Sequence, residues 1–383
     1  MRIVSISGRD GVGKSQQVSL FGGDEALHIT GGLGEYGDKW PKLNPAEHFN
    51  WWFRDLPFLE LVSIILESLR NRRIAHDPKK INVNDRGSIM FKAVCASTLA
   101  TRSETSFEDA IKVVDGLFEE ELRESASEQE VLLKADLEYT DSVRHLVQIV
   151  DPRSSKFLPW QTEMYAQYQG WLTRFVEYYF RGSSPLKIIC VDSCILDTQN
   201  KLRSVINEVC SAELHPFCST LSRLVAFGGL SESGKSCFAQ RLSTHHQFHR
   251  LKIKYFGKVV QRCGLEINPV NLGRELLTFL DAHKHIARAS IESLHGVDLP
   301  AYLKLLFGPR LKIVFLDTPE EVRVRRTAQE LGISEDESRS RIATKDAVKL
   351  SRGADRIKNI ADAVFSNGDD DFETSFRAFV SQI

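Results

Sequence analysis

The residue types with the clearest chemistry stand near the start of the chain, where residues 8–15 read GRDGVGKS and fit the pattern G-x-x-x-x-G-K-[ST]. Glycines allow backbone N–H groups to curl around a phosphate without Cβ clashes. In such a loop Lys14 would bring a positive charge to the β- and γ-phosphates, and the Ser15 hydroxyl would bind Mg²⁺. The pattern therefore predicts ATP and Mg²⁺ as cofactors, bound by Gly8, Asp10, Gly11, Gly13, Lys14 and Ser15.

The same pattern returns at residues 229–236, which read GLSESGKS. As at the first loop, a short apolar stretch comes before the pattern and residues that can open a helix come after it, which is the context that the motif requires. Two copies so far apart predict two tandem domains, at 1–213 and 220–383, rather than a repeat array. The second loop is expected to bind nucleotide and metal, with Lys235 also catalytic, through Gly229, Ser231, Ser233, Gly234, Lys235 and Ser236.

A polar pair, Asp85 and Arg86, directly follows the apolar-rich residues 81–84 (INVN). At the carboxyl edge of a parallel sheet these side chains would face the first loop. Asp85 could then hold Mg²⁺ through water or orient the acceptor, and Arg86 could clamp a phosphate through two hydrogen bonds. A strand-end salt bridge without a catalytic role is the simpler alternative.

In the second domain, Glu292 ends a predicted strand and stands in a comparable place. It could act as the base for an acceptor or hold Mg²⁺ through water. The alternative is that Glu292 only caps or pairs locally.

The elements that must position these residues alternate between strands and helices, which predicts parallel sheets covered by helices on both faces. The predicted fold class is α/β, with two P-loop NTPase domains of the nucleoside monophosphate kinase type, each a parallel five-stranded sheet flanked by helices. Strands are expected at 2–7, 26–30, 80–84, 130–135 and 186–192 in the first domain, and at 223–228, 251–256, 288–292, 311–316 and 361–366 in the second.

Composition excludes several classes of protein. Hydrophobic residues make up 42% of the 383 positions and charged residues 26%, which excludes a mainly disordered chain. The net charge of −1 disfavours non-specific nucleic-acid binding. No apolar run approaches the roughly 18–20 residues of a membrane span, and no signal peptide is recognisable. Seven irregularly spaced cysteines fit reduced thiols, so we expect a cytoplasmic protein without a membrane partner.

Residues 1–210 resemble the thymidylate kinase family. SGRDGVGKSQQ is similar to the family's D-G-x-G-K-S-T-Q loop, and NDRGSIMFKA resembles its D-R-Y-x-x-S strand end, with Gly87 in place of the tyrosine. A looser likeness runs through VLLKADLEYTDSVRHL and QIVDPRSSKF. It implies a lid whose arginines, Arg144 and Arg153, would act on the transferred phosphate.

The same resemblance implies an acceptor site held by arginines, and the nearest matches by order are Arg54 and Arg102. An arginine can hold the phosphate of an acceptor. Phe53 and the two tryptophans before it could stack on a base, although core packing explains such residues equally well.

Residues 222–383 resemble dephospho-coenzyme A kinases and related small nucleotide kinases. LKIVFLDTPEEVRVRR is similar to the pattern L-D-x-P-x-E-x-R-x-x-R, LGISEDESRSRIATKD to the lid, and ADAVFSNGD to the last strand. Glu330 stands where these proteins usually carry an arginine over the nucleotide. The resemblance implies a kinase but does not name its substrate.

These observations predict an ATP- and Mg²⁺-dependent phosphotransferase that acts on a nucleotide or nucleotide-like small molecule. Two alternatives stay open: a kinase that modifies nucleic acid at a hydroxylated base or strand end, and one active kinase domain fused to a non-catalytic nucleotide-binding regulator. The near-neutral charge disfavours the nucleic-acid partner. The sequence is compatible with a homodimer.

Overall fold

The computed structural model describes residues 2–135, 158–181, 187–191, 194–292, 294–368 and 372–381. The described residues form two compact units, which divide between His215 and Pro216. Each unit has its own parallel five-stranded sheet. In the described part of the chain no helix is long and apolar enough to cross a membrane.

The sheet of the first unit has the strand order β2-β3-β1-β4-β5, and every pair is parallel. Its central strand β1 is buried along almost its whole length, as expected for a parallel strand covered on both faces. The strands are β1 Arg2–Gly8, β2 Leu27–Ile29, β3 Ile81–Asp85, β4 Glu128–Ala135 and β5 Lys187–Val191.

Helices cover both faces of this sheet and create two apolar clusters. Val18 and Phe21, at the first helix, and Leu202 and Ile206 of the last pack against the strands on one face. The middle helices form an aromatic-rich cluster on the other face. The helices are α1 Lys14–Ser19, α2 Pro45–Asn50, α3 Phe58–Ile74, α4 Ser88–Ser103, α5 Phe107–Glu124, α6 Pro159–Arg181 and α7 Ile195–Cys210, with a 3₁₀ turn at Leu33–Tyr36 and a π turn at Trp51–Asp55.

The sheet of the second unit has the order β7-β8-β6-β9-β10, again wholly parallel. Phe227 on the central strand packs with phenylalanines of the first and last helices. The strands are β6 Arg223–Gly228, β7 His249–Lys252, β8 Arg288–Glu292, β9 Leu311–Asp317 and β10 Ala363–Ser366. The helices are α8 Lys235–His246, α9 Ile253–Arg262, α10 Pro269–Ala282, α11 Asp298–Phe307, α12 Glu320–Leu331, α13 Glu335–Leu350 and α14 Phe372–Val380, with 3₁₀ turns at Gly308–Arg310 and Asp355–Ile360.

Both sheets have the same strand order, 2-3-1-4-5, when each is counted from its own first strand. The first strand therefore lies at the centre, where the crossover direction changes, and the loop that follows it opens at the carboxyl edge of the sheet. Ligands of open α/β sheets bind at this edge. The predicted fold class is confirmed. The bounds of the strand predicted at 251–256 were wrong, because that strand is β7 at His249–Lys252 and the chain turns into α9 at Ile253.

Candidate active sites

The two glycine-rich loops have closely similar backbones. The residue before each helix is a glycine in the left-handed region, Gly13 with φ 86° and Gly234 with φ 91°. A side chain is strained there, so glycine allows the turn from strand to helix. Both lysines of the motif then occupy the first helical position, Lys14 in α1 and Lys235 in α8.

Lys14 is buried inside its own loop. Its side chain is 5% exposed, and Nζ donates a 2.7 Å hydrogen bond to the carbonyl oxygen of Arg9. Burial and the nearby Arg86 guanidinium lower the pKa of Lys14 to about 8. Asp10, whose Oδ1 lies 3.8 Å from Lys14 Nζ, and Asp85 offset these effects only in part. A bound anion would add negative charge and raise the pKa further.

The structure brings the predicted strand-end pair to the first loop. The Ser15 hydroxyl donates to Asp85 Oδ2 at the end of β3. Arg86, whose φ is 67°, forms an ion pair with Asp10 in the loop itself. The structure thus brings the loop, the Ser15 hydroxyl and the Asp85 carboxylate together at one edge of the sheet. Their role towards phosphate and metal stays a prediction.

Asp10 is the most heavily bonded side chain of the first loop. Besides Arg86, it accepts hydrogen bonds from the Tyr165 hydroxyl at 2.8 Å and from Gln169 Nε2 at 3.0 Å, both on α6. Burial raises the pKa of Asp10, but the charges of Arg86 and Lys14 and these hydrogen bonds outweigh it and lower the pKa. Asp10 is therefore ionised, and its hydrogen bonds connect the first loop to α6.

The predicted acceptor residues lie together around the π turn at 51–55. Phe53 is 7% exposed and packs edge-on against Tyr168, with ring centroids 5.2 Å apart. The Arg54 guanidinium lies 3.5 Å above the Trp160 ring, and Arg102 donates to the carbonyl oxygen of Leu56. All three thus have protein partners, and their role towards an acceptor stays a prediction.

The two lid arginines predicted for the first domain, Arg144 and Arg153, lie outside the described residues. Their role stays a prediction.

Glu130 on β4 supports the first site and was missed by the sequence analysis. It accepts hydrogen bonds from Ser7 Oγ at 2.7 Å and from the backbone N–H of Ile89 at 2.5 Å, so it links the strand before the loop to the start of α4. Its carboxylate fills the space beside Gly87, where a Cβ atom would lie 2.3 Å from Glu130 Cδ. Glycine at position 87, where the thymidylate kinase pattern has tyrosine, is thereby explained.

The second loop repeats the arrangement of the first. Lys235 is 9% exposed, and Nζ donates to the carbonyl oxygens of Gly229 at 2.9 Å and Leu230 at 2.5 Å. Burial and the nearby Lys349 lower the pKa of Lys235 to about 7.

Glu292 takes the place in the second unit that Asp85 takes in the first. At the end of β8 it accepts a 2.6 Å hydrogen bond from the Ser236 hydroxyl and forms an ion pair with Arg250. Burial raises the pKa of Glu292, but the hydrogen bonds from Arg250 and Ser236 outweigh it and lower the pKa. The pair of Ser236 and Glu292 therefore resembles the pair of Ser15 and Asp85 in the first unit. The difference is that Glu292 also has a cationic partner, Arg250.

A buried ion pair between Arg323 and Asp346, which lie outside the second loop, binds the backbone of that loop. Asp346 Oδ1 accepts a 2.8 Å hydrogen bond from the N–H of Ser231, while Arg323 donates at 3.1 Å to the carbonyl oxygen of the same residue. The two side chains are 2.5 Å apart and both are buried. We call this arrangement the Ser231 clamp; it joins α12 and α13 to the loop, and the sequence analysis did not predict it.

Asn367, after β10, and Thr318, after β9, hold the next part of the same loop. Asn367 Nδ2 donates at 3.0 Å, and Thr318 Oγ1 at 3.1 Å, to the carbonyl oxygen of Ser233. The predicted loop residues Ser231 and Ser233 are both buried and are held through their backbones, and the Ser233 hydroxyl also accepts a 3.0 Å hydrogen bond from Lys235 Nζ.

A cleft of about 960 Å³ opens over the second loop. Its walls are residues 231–237 of the loop and the start of α8, residues of α12 and α13, and the side chains of His295, Arg352 and Asn367. We call it the second-loop cleft. Its volume is in the range of small-molecule sites in proteins.

The donors present at both loops fit Mg²⁺ that arrives with a phosphorylated ligand. Within the described residues, no group of three or more His, Cys, Asp or Glu side chains is arranged to hold a metal ion. One serine hydroxyl and one carboxylate are available at each loop. Mg²⁺ is usually bound in this way, through one or two protein oxygens, several waters and the phosphates of the substrate.

Two loops of this type, each after the central strand of a 2-3-1-4-5 parallel sheet, define a tandem of P-loop domains with the kinase-type fold. No family model and no curated protein matches the chain. Similar solved structures include thymidylate kinase from Candida albicans, 13% identical over 55% of this chain and 93% of that one, with a TM-score of 0.36. Thymidylate kinase from Ehrlichia chaffeensis is 13% identical over 54% of this chain and 98% of that one, with a TM-score of 0.32. Shikimate kinase from Bacteroides thetaiotaomicron is 15% identical over 42% of this chain and 96% of that one, with a TM-score of 0.26.

Proposed function

We propose that the protein is an ATP- and Mg²⁺-dependent phosphotransferase for a nucleotide or nucleotide-like acceptor, with P-loop domains at 1–213 and 220–383. One observation carries the proposal. In each unit a buried lysine is held inside a glycine-rich loop, and the serine after it is hydrogen-bonded to a carboxylate at the end of the third strand. This arrangement matches what phosphoryl transfer needs, namely positioning and neutralisation of charge.

The residues of each loop would divide the work. Bound Mg²⁺ and ATP would supply the transferable phosphoryl group and much of its charge neutralisation. The loop amides would hold the phosphates, while Lys14 and Lys235 would neutralise the transferred group. The hydroxyls of Ser15 and Ser236 would bind the metal.

The strand-end carboxylates, Asp85 and Glu292, would orient a metal-bound water or the acceptor hydroxyl. In the first unit Arg86, with the proposed lid arginines Arg144 and Arg153, would neutralise the transferred phosphate.

The acceptor of the first unit would bind near Phe53, Arg54 and Arg102. Beside them lies a half-buried aromatic group of Trp40, His48, Trp51 and Trp52, whose ring centroids are 5.3–6.5 Å apart. Aromatic rings can stack on any nucleobase, because every base has a flat aromatic face.

An assay of ADP release tests the proposal. The full chain is incubated with Mg²⁺, ATP and a panel of nucleosides, nucleoside monophosphates and oligonucleotides, beside Lys14→Ala, Lys235→Ala and the exposed control Lys112→Ala. We expect a small-molecule acceptor to stimulate turnover at least 100-fold over its absence, and one or both loop substitutions to abolish this stimulation. Turnover that neither loop substitution changes would refute the proposal, and stimulation by oligonucleotides alone would point to nucleic acid as the acceptor.

A second candidate function applies to the second unit alone, as a nucleotide-binding regulator. The observation that favours it is the Arg250 ion pair, which places a cation on the carboxylate that would otherwise act as base or metal partner. Turnover that depends only on Lys14 in this assay, together with binding of Mg²⁺ and AMP-PNP that depends on Lys235 in calorimetry, would support this function.

A further inference from the structure

The second-loop cleft carries more positive charge than its protein partners compensate. Among the described residues, six basic side chains and two carboxylates, Glu232 and Glu330, line it. Three of these basic side chains have partners in the protein. Lys235 donates to backbone carbonyl oxygens of its own loop, and Lys345 forms a 2.9 Å ion pair with Glu232. Arg326 donates hydrogen bonds to the backbone carbonyl oxygens of the two residues after β10.

The remaining three basic side chains are His295, Lys349 and Arg352. Within the described part of the chain none of the three makes a side-chain hydrogen bond or an ion pair, although all three line the cleft. We call them the basic triad. Burial and the charges of Lys349, Arg352 and Lys235 lower the pKa of His295. At Lys349 burial lowers the pKa, and the nearby carboxylates of Asp346 and Glu232 offset only part of that effect.

Two features of the fold hold the triad together. Lys345, Lys349 and Arg352 are spaced four and three residues apart along and just beyond α13, so they follow one face of that helix. His295 belongs to the loop after β8, the strand that ends in Glu292. The two segments touch at Gly296, where a Cβ atom would lie 2.7 Å from the carbonyl oxygen of Arg352.

We infer that the basic triad binds the anionic group of the acceptor in the second unit, and that this acceptor therefore carries its own phosphate. The inference rests on the proposed function, since it assumes that a nucleoside triphosphate occupies the loop around Lys235. The loop amides and Lys235 serve that triphosphate, whereas His295 stands on the segment that follows the strand-end carboxylate. A phosphate monoester suits this group, because Lys349 and Arg352 supply positive charge and the His295 ring can donate a hydrogen bond.

The test uses the full chain with Lys14→Ala, which disables the first loop. Binding of Mg²⁺ with a non-hydrolysable ATP analogue, AMP-PNP, is measured first by isothermal titration calorimetry. Inorganic phosphate is then titrated into the saturated complex and followed by phosphorus NMR. We expect Lys349→Gln and Arg352→Gln each to weaken phosphate binding about three- to tenfold, and to change AMP-PNP binding less than twofold.

Arg341→Gln is the matched control, because Arg341 lies on the same helix, lines a different cavity and makes no ion pair among the described residues. It should leave both affinities unchanged. Phosphate affinity that is equal in all variants would overturn the inference while Lys235-dependent AMP-PNP binding still supports the proposed function. Loss of AMP-PNP affinity in Lys349→Gln and Arg352→Gln would also overturn it, since the triad would then serve the triphosphate. AMP-PNP binding that is absent, or independent of Lys235, would refute both.

Discussion

Lys14 and Lys235 are buried lysines for which nearby carboxylates, Asp10 and Asp85 at the first and Glu232 and Asp346 at the second, do not offset the effect of burial on the pKa. Burial is the main cause of both lowered pKa values, to about 8 for Lys14 and about 7 for Lys235. Such groups are common at functional sites, because a site prepared for an anion is unfavourable for a lone cation until the anion arrives.

This environment predicts proton uptake on nucleotide binding. At pH 8 the Lys235 amine is largely neutral, and a bound triphosphate favours the ammonium form and raises the pKa again. Binding of Mg²⁺ with AMP-PNP should therefore take up protons at pH 8 and fewer at pH 6, where Lys235 is already charged. Calorimetry in buffers with different ionisation enthalpies measures this uptake.

Lys235→Arg is the control for that measurement, since arginine stays protonated throughout the range. It should remove the share of the uptake that belongs to the second loop. Equal proton uptake at pH 6 and pH 8 in the unmodified chain would contradict the prediction.

At the scale of the elements, the start of α4 depends on the absence of a side chain at Gly87. A Cβ atom there would lie 2.3 Å from Glu130 Cδ, and Glu130 is itself held by Ser7 and the N–H of Ile89. Gly87→Ala should lower the free energy of unfolding by roughly 1–3 kcal/mol through overpacking. It should also reduce turnover by the first unit, because Asp85 and Arg86 directly precede this residue.

Urea denaturation and the ADP-release assay measure the two effects. The matched control is Gly116→Ala in α5, where nothing lies within 4 Å of the added Cβ atom. That change, at an exposed position of α5, should stabilise the protein by roughly 0.5–1 kcal/mol. The interpretation fails if both substitutions change stability in the same direction.

The Ser231 clamp makes a second prediction about elements. Asp346→Ala leaves the Arg323 guanidinium buried without its partner and the N–H of Ser231 without an acceptor, so it should cost roughly 3–5 kcal/mol of stability. Nucleotide binding at the second loop should weaken, because the loop loses its buried attachment to α13 and keeps only the exposed ion pair of Lys345 with Glu232. Denaturation and calorimetry with AMP-PNP measure the two results.

Lys345→Ala is the comparison for the clamp, since it removes an exposed ion pair from the same helix. It should change stability by no more than about 1 kcal/mol. Asp346→Asn keeps an oxygen that can accept from the N–H of Ser231. Its loss of stability should therefore lie between those of Asp346→Ala and Lys345→Ala. A stability of Asp346→Ala equal to that of Lys345→Ala would show that the clamp has no structural role.

For the whole molecule, the repetition of one fold predicts two nucleotide sites on each chain. Equilibrium dialysis with Mg²⁺ and AMP-PNP should give a stoichiometry of two, and Lys14→Ala or Lys235→Ala should each reduce it to one. The double substitution should abolish binding. One site in the unmodified chain would mean that only one of the two loops binds nucleotide.

Much of the sheet architecture could be predicted, because buried parallel strands are short apolar runs with turn residues at their ends. Helix α4 was not predicted, since it is buried around most of its circumference and so lacks the apolar stripe of a surface helix. The strand at 251–256 was placed too late, because the residues of the strongly amphipathic helix α9 also suit a strand.

The sequence alone determined the two loops, their lysines and serines and the strands before them, because glycine spacing and local apolar runs act within a few neighbouring residues. Only the tertiary structure decided which distant groups meet there: Glu130 beside Gly87, Arg250 on Glu292, Asp346 and Arg323 on Ser231. These contacts join residues far apart in the chain, and they form only when strand order and register place the ends of separate elements at one edge of a sheet.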